Sequence, residues 1–233
     1  MTFTKATKTK SKLRLALTGT AGSGKTLGSL LIAQGLGGRI AMIDTENGSG
    51  NVYSDICDYD ICGLSAPYDP RKYIQCIHEA EKLGYDIIII DSISHEWACE
   101  GGCLDLHTRE CASGKGNSFT AWGKITPLHN LFVQALTASP CHIIATIRSK
   151  TDHVIGDNRQ VIKVGLAPIQ RDGIEYEFGT VFDISASHLA TVNKDRTGLF
   201  PDTPFTITPK VGEALRNWLN NNTDTDKKKG GEG

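Results

Sequence analysis

"GTAGSGKT", residues 19–26, follows the apolar run "LRLALT" and precedes the helix pattern "TLGSLLIAQGL". It fits G-x-x-x-x-G-K-[ST] in full, in the strand–loop–helix setting that this motif requires. Gly19, Gly22 and Gly24 let the backbone curl so that N–H groups face phosphate oxygens, and Thr20, Ala21, Ser23 and Leu27 complete the loop and its exit. The start of a helix adds the positive end of its dipole. Lys25 is placed to reach β- and γ-phosphates, and Thr26 offers a hydroxyl to Mg²⁺. A chance Gly-rich turn is the alternative, and the flanking elements disfavour it.

Outward from the loop, strand and helix patterns alternate. "RIAMID" reads as a strand, "PRKYIQCIHEAEKLG" as an amphipathic helix ending near Gly84, and "YDIIIID" as a strand buried on both faces. "WGKITPLHNLFVQALTAS" reads as a second long helix and "CHIIATI" as another buried strand. This alternation predicts an α/β fold with a mainly parallel central sheet flanked by helices. Residues 148–173 read as a long polar loop, functional or mobile. "YEFGTVFDISAS", "HLATVNKD" and "PFTIT" read as short strands that extend the sheet, with "VGEALRNWLN" as a closing helix. The expected organisation is a flexible basic arm over 1–12, one core over 13–219 and a disordered tail over 220–233.

The 233 residues are enough for one large domain, and a net charge of −1 excludes a global pull toward polyanions. The longest apolar run, "IIII", is too short for a bilayer, and the basic start lacks an apolar signal region. A cytoplasmic protein with no membrane partner is expected. The seven cysteines read as free thiols in a reducing compartment. His95, Cys99, Cys103, His107 and Cys111 recur every four residues, a spacing compatible with Zn²⁺ on one helix face. Gly101 and Gly102 interrupt that helix and no CxxC pair occurs, so a partly buried segment is the preferred reading.

Three further segments carry chemistry. Asp91 ends the "IIIID" strand, at the sheet edge where α/β folds bind ligands, and is placed to hold Mg²⁺ with Thr26. Glu46, in "AMIDTENG", follows the strand after the loop helix and is the candidate general base. A capping or surface acid is the alternative for Glu46. Lys194 and Arg196 sit two apart in a strand-like stretch, so alternation places both on one face. They read either as solvated edge charges or as cations serving a phosphate site.

Taken in order, these segments resemble the RecA-like ATPase core. "GTAGSGKT" looks like Walker A, "IIIIDS" like Walker B, and "IDTENG" like the segment that keeps the catalytic Glu, here Glu46. "HIIATIRSK" resembles the strand with the polar γ-phosphate sensor, which here is Thr146 where RecA has Gln. "NKDRTG" resembles the Lys-x-Arg pair that RecA- and DnaB-type ATPases insert into a neighbour's nucleotide site. "GNSFTAWGKITP", "ATIRSKT", "QRDGIEYEF" and "KDRTGLF" also look like phage-encoded ATPases of the Sak single-strand-annealing group. The resemblance implies an oligomer that binds ATP and Mg²⁺, acts on single-stranded DNA, and works beside a single-strand-binding protein.

In such a core two loops face the DNA. The first expected loop, near 111–124, carries Lys115 with Phe119 and Trp122 as stacking groups. The second, 148–173, carries Arg148, Lys150, Arg159, Lys163 and Arg171 against Asp152, Asp157 and Asp172. Basic side chains track phosphates and aromatic faces stack bases, at roughly 1–3 kcal/mol per base. A solvated loop is the plain alternative. Two other functions stay open: a small-molecule kinase with 148–173 as its lid, and a non-catalytic ATP-binding assembly protein.

Overall fold

The computed structural model describes residues 11–114, 117–155 and 161–220. The residues called as arm and tail lie mostly outside that range. Nine strands and six helices follow in order: β1 (Arg14–Gly19), α1 (Lys25–Leu36), β2 (Ile40–Asp44), β3 (Asp60–Gly63), α2 (Pro70–Lys82), β4 (Ile87–Asp91), α3 (Ser94–Ala98), α4 (Cys103–Ala112), α5 (Ser118–Ala138), β5 (His142–Ile155), β6 (Val161–Pro168), β7 (Thr180–Ile184), β8 (Leu189–Asp195), β9 (Phe205–Thr206) and α6 (Pro209–Asn220). The sheet order is β3-β2-β4-β5-β1-β7-β8-β9, with β6 paired to β5. The run from β3 to β7 is parallel, and β8 and β9 are antiparallel. The fold is therefore α/β, as the alternating pattern predicts.

Residue alternation divides the core between the two faces of the sheet. Ile88, Ile90, Ala145 and Ile147 pack with Tyr73 and Ile77 of α2 and Phe132 and Leu136 of α5. Ile87, Ile89, Leu15 and Leu17 pack with Leu30 and Ala33 of α1 and Leu215 of α6. Both faces are covered, which is why the β4 run is apolar throughout. Helices α1 and α6 touch through glycines. A Cβ on Gly35 would stand 1.8 Å from the Pro209 carbonyl oxygen, and one on Gly212 would stand 2.0 Å from that of Ile32. Among the described residues, no helix is long and apolar enough to cross a membrane.

Two segments differ from the sequence reading. Residues 148–173 are not one long loop. Strand β5 runs on to Ile155 and pairs antiparallel with β6, Ser149 facing Pro168 and Ile155 facing Val161. The expected loop at 111–124 is largely helical, because α5 begins at Ser118, where the Asn117 side chain accepts from Thr120 N.

His142 opens β5, and its Nδ1 accepts from Leu13 N at 3.0 Å. Burial, then Lys12 and Arg14, push its pKa down to about 4 from the ordinary 6.5. The unfolded chain therefore binds a proton between these values that the folded chain refuses. Stability should be fully present above 6.5 and fall as pH drops toward 4, seen as a falling urea midpoint. In His142→Asn, which keeps an acceptor, that slope should flatten; an unchanged slope would acquit His142.

Candidate functional site

The site is built at the C-terminal edge of the parallel strands, where β1, β2, β4 and β5 all deliver polar residues. Gly24 starts α1 in the left-handed region, at φ 96°, with no side chain capping the first N–H groups and no acid in the first turn. Gly22 is also left-handed, at φ 76°, and a Cβ there would meet nothing within 4 Å. The Ser23 hydroxyl is buried without a partner. Lys25 Nζ donates to the loop's own Thr20 carbonyl at 2.7 Å. Burial lowers the Lys25 pKa, against the raising fields of Asp91 and Glu46. Free amide donors, an orphan hydroxyl and a buried ammonium suit a polyphosphate.

Asp91 is 2% exposed at the end of β4. Its Oδ2 accepts from Thr26 Oγ1 at 2.5 Å, and its Oδ1 accepts from the hydroxyl of Thr146 on β5. Burial raises the Asp91 pKa, and the two hydroxyls oppose that rise. Oxygen donors converging from α1 and β4 are the ligand type that Mg²⁺ takes. Thr26 and Asp91 thus fit as Mg²⁺ holders, with Thr146 bracing the carboxylate.

Glu46 reaches the same region. Its N–H donates to Asp44 Oδ1 at 2.7 Å, a tight turn at the end of β2. Both carboxylate oxygens accept from Arg148, Nε at 2.7 Å to Oε1 and the second contact from Nη2 to Oε2. Arg148, expected in a DNA-facing loop, lies instead on strand β5 and pairs with Glu46. Glu46 raises the Arg148 pKa in return.

Several site residues carried no sequence signal. Thr45, between the two acids of "DTE", bonds Ser92 N at 2.8 Å and His95 Nδ1 at 2.5 Å. Its own N–H donates to Asp91 O at 2.8 Å. Thr45 therefore ties the end of β2 to the end of β4 and fixes Glu46 beside Asp91. Ser94 Oγ accepts from Arg148 N at 2.9 Å, and His188 Nδ1 sits 3.0 Å from the Ser23 carbonyl. A polar residue next to an acid is common, so only the fold distinguishes these.

A family model described as AAA domain matches residues 11–222. The chain belongs to the AAA domain family. That is a family of P-loop ATPases, in keeping with the loop and the mainly parallel sheet. A comparison with curated proteins found no match.

The remaining predicted residues of this AAA domain fall in two places. Trp122 stacks on His107 at 4.2 Å and on Trp97 at 5.7 Å, so it is not a free stacking face. With Trp97, Lys150 and Arg171 it lines one cavity of about 770 Å³. Phe119 is 85% exposed, one turn before Trp122. Lys115 and Arg159 lie outside the described residues, as does the side chain of Lys163. Lys194 and Arg196 do not project as a matched pair. A register shift leaves Asn193 out of the β7–β8 ladder. Lys194 Nζ donates to the carbonyls of Glu175 and Tyr176 at 3.1 and 3.0 Å. Arg196 is exposed beyond the end of β8, in a turn whose amides are held by Asp195.

Lys25→Ala should weaken ATP binding at least about 10-fold, since hydrogen bonds to charged groups contribute roughly 1.5–3 kcal/mol. Titration with a fluorescent ATP analogue measures this, and an unchanged Kd would remove Lys25 from the site.

Proposed function

We propose that the chain hydrolyses ATP in response to single-stranded DNA, as a homo-oligomer with nucleotide at subunit interfaces. One observation carries the reading. Strand β5 supplies Thr146 to Asp91 and Arg148 to Glu46, and two residues later supplies Lys150 to the cavity shared with Trp122 and Arg171. A single strand thus joins the phosphate site to a cationic, aromatic-walled groove. Cations tracking a backbone beside an exposed aromatic ring suit single-stranded nucleic acid. A kinase lid is disfavoured, because 149–155 and 161–168 are paired backbone continuous with the sheet.

In this reading Glu46 takes the proton of the attacking water. Arg148 occupies both Glu46 oxygens at rest, so the base is free only when that pair opens. Thr26 and Asp91 would hold Mg²⁺, which supplies charge neutralisation at the phosphates. Arg196 would serve the adjacent protomer. The antiparallel turn of β8 puts Lys194 opposite Val181, while Gly19 of the loop lies beside Ile184 at the other end of β7. Strand rise sets these levels roughly 10 Å apart, so Arg196 lies at the end of the sheet away from its own loop. Recombination or annealing beside a single-strand-binding protein is the setting that the Sak-type resemblance adds.

The comparison of ATPase rate with and without single-stranded DNA, alongside oligomeric state, tests the whole reading. A monomer whose turnover ignores DNA would refute it. Glu46→Gln should keep ATP binding and lose hydrolysis. Arg196→Ala should do the same, with a loss approaching the roughly 10³–10⁵-fold worth of an arginine finger. Mixing Arg196→Ala with Lys25→Ala should restore part of the activity, and no recovery in confirmed mixed assemblies would exclude action between subunits.

Phe119→Ala and Lys150→Ala should each weaken single-stranded DNA binding in filter or anisotropy assays. Only Lys150→Ala should also shrink the salt dependence, by about 0.7 in the log–log slope for one lost phosphate contact. Equal slopes in both variants would move the DNA elsewhere.

A further inference from the structure

Apart from the phosphate loop, three helices bring polar side chains to one point in the core. Glu96 of α3, Cys103 at the start of α4 and His129 of α5 are all buried. Glu96 Oε1 faces His129 Nδ1 at 3.1 Å and accepts from Cys103 Sγ at 3.1 Å. Glu96 Oε2 accepts from Gln170 Nε2 at 3.1 Å, and that amide also donates to Ile93 O at 2.9 Å. Trp97 and Phe132 pack around the imidazole. A carboxylate, a thiol and an imidazole gathered inside an aromatic shell are costly to bury unless something compensates them.

We propose that Glu96, Cys103 and His129 form a Zn²⁺ site. The three ligand atoms lie within 4.8 Å of one another. Ligands at 2.0–2.3 Å from a tetrahedral zinc stand roughly 3.3–3.8 Å apart, so shifts of about 1 Å complete the shell. One oxygen, one sulfur and one nitrogen form a borderline-soft set that suits zinc better than Mg²⁺ or Ca²⁺. The charges close as well: carboxylate and thiolate balance the dication, and the imidazole is neutral. On binding, Zn–S, Zn–O and Zn–N bonds form. The Cys103 thiol proton leaves to the buffer, and the neutral imidazole binds through the lone pair of His129 Nδ1 with its single proton on Nε2. Gln170 already holds the second carboxylate oxygen, the role of an outer-shell partner. Trp97, Leu104 and Gln170, each a chain neighbour or contact of the trio, also line the cavity of about 770 Å³.

Only Cys103 belongs to both this trio and the four-residue ladder. His95 turns to Thr45 instead, and Cys111 lies 3.8 Å from His107 at a separate place. The site would pin α3, α4 and α5 together beneath the groove walls.

The test uses the full chain, reduced, stripped with a chelator and titrated with Co²⁺ alone. One equivalent should bind with a thiolate-to-cobalt charge-transfer band, and equimolar Zn²⁺ should bleach it. Zn²⁺ should also raise the unfolding temperature with concentration. Cys103→Ser and His129→Gln should abolish the band, while Cys99→Ser and Cys111→Ser keep it. Gln170→Ala should weaken binding roughly 10–100-fold. No stoichiometric band in the native chain overturns the proposal, whatever the fate of the variants. So does a band that survives Cys103→Ser or vanishes only in Cys111→Ser.

Discussion

Asp91 stands buried at the end of β4, and its two oxygens accept from hydroxyls on two other segments, Thr26 of α1 and Thr146 of β5. A carboxylate taken out of water is tolerated only where hydrogen bonds replace its hydration. Those hydroxyls can reach it only if β1, β4 and β5 lie side by side in register, which they do: Ile90 faces Ala145 and Leu17 faces Thr146. The phosphate loop and the strands β4 and β5 thus converge on one anchored charge. Thr45 extends the arrangement to β2 by bonding across to Asp91 and Ser92.

The sheet also sorts charges by edge. Cations and acids that share the candidate site sit at the C-terminal ends of the parallel strands. The reversal of β8 carries Lys194 to the opposite end, where it caps a 3₁₀ turn at Ile174–Glu177 of its own chain. Arg196, one step further, has no hydrogen bond or ion pair from its side chain among the described residues. The pair that looked equivalent in sequence therefore divides: one cation is structural, the other is presented outward.

Local pattern made much of this legible. The Gly-rich octapeptide and the apolar runs ending in Asp44 and Asp91 follow from backbone curling and from burial on both sheet faces, and both act within a few residues. What escaped depends on distance. The Glu46–Arg148 pair joins residues 102 positions apart, and no spacing rule reaches that far. The stretch after Ile147 is polar and Gly-containing, which reads as loop, yet main-chain pairing makes it a hairpin without needing an apolar face. Edge strand β3 is mostly exposed and lacks the apolar run that marks its neighbours. The ladder from His95 to Cys111 presumes one unbroken helix, and α3 ends at Ala98 before α4 begins at Cys103. The two helices then turn different rungs toward different partners, and His129 arrives from a third.

Strand β5 runs from the core of the sheet into the hairpin as one element, with a register shift between Asp152 and His153. Its first half is clamped between β4 and β1 in the core, and its second half leaves the sheet as an arm of the hairpin. Thr146 and Arg148 sit where the two halves meet, each gripping an acid of the phosphate site. The Arg148 carbonyl also takes the N–H of Ile169, which secures the returning arm at the same level. The hairpin is thus rooted at the candidate phosphate site. A displacement of the paired arms would therefore be carried along the same strand to Arg148 and the carboxylate that Arg148 holds.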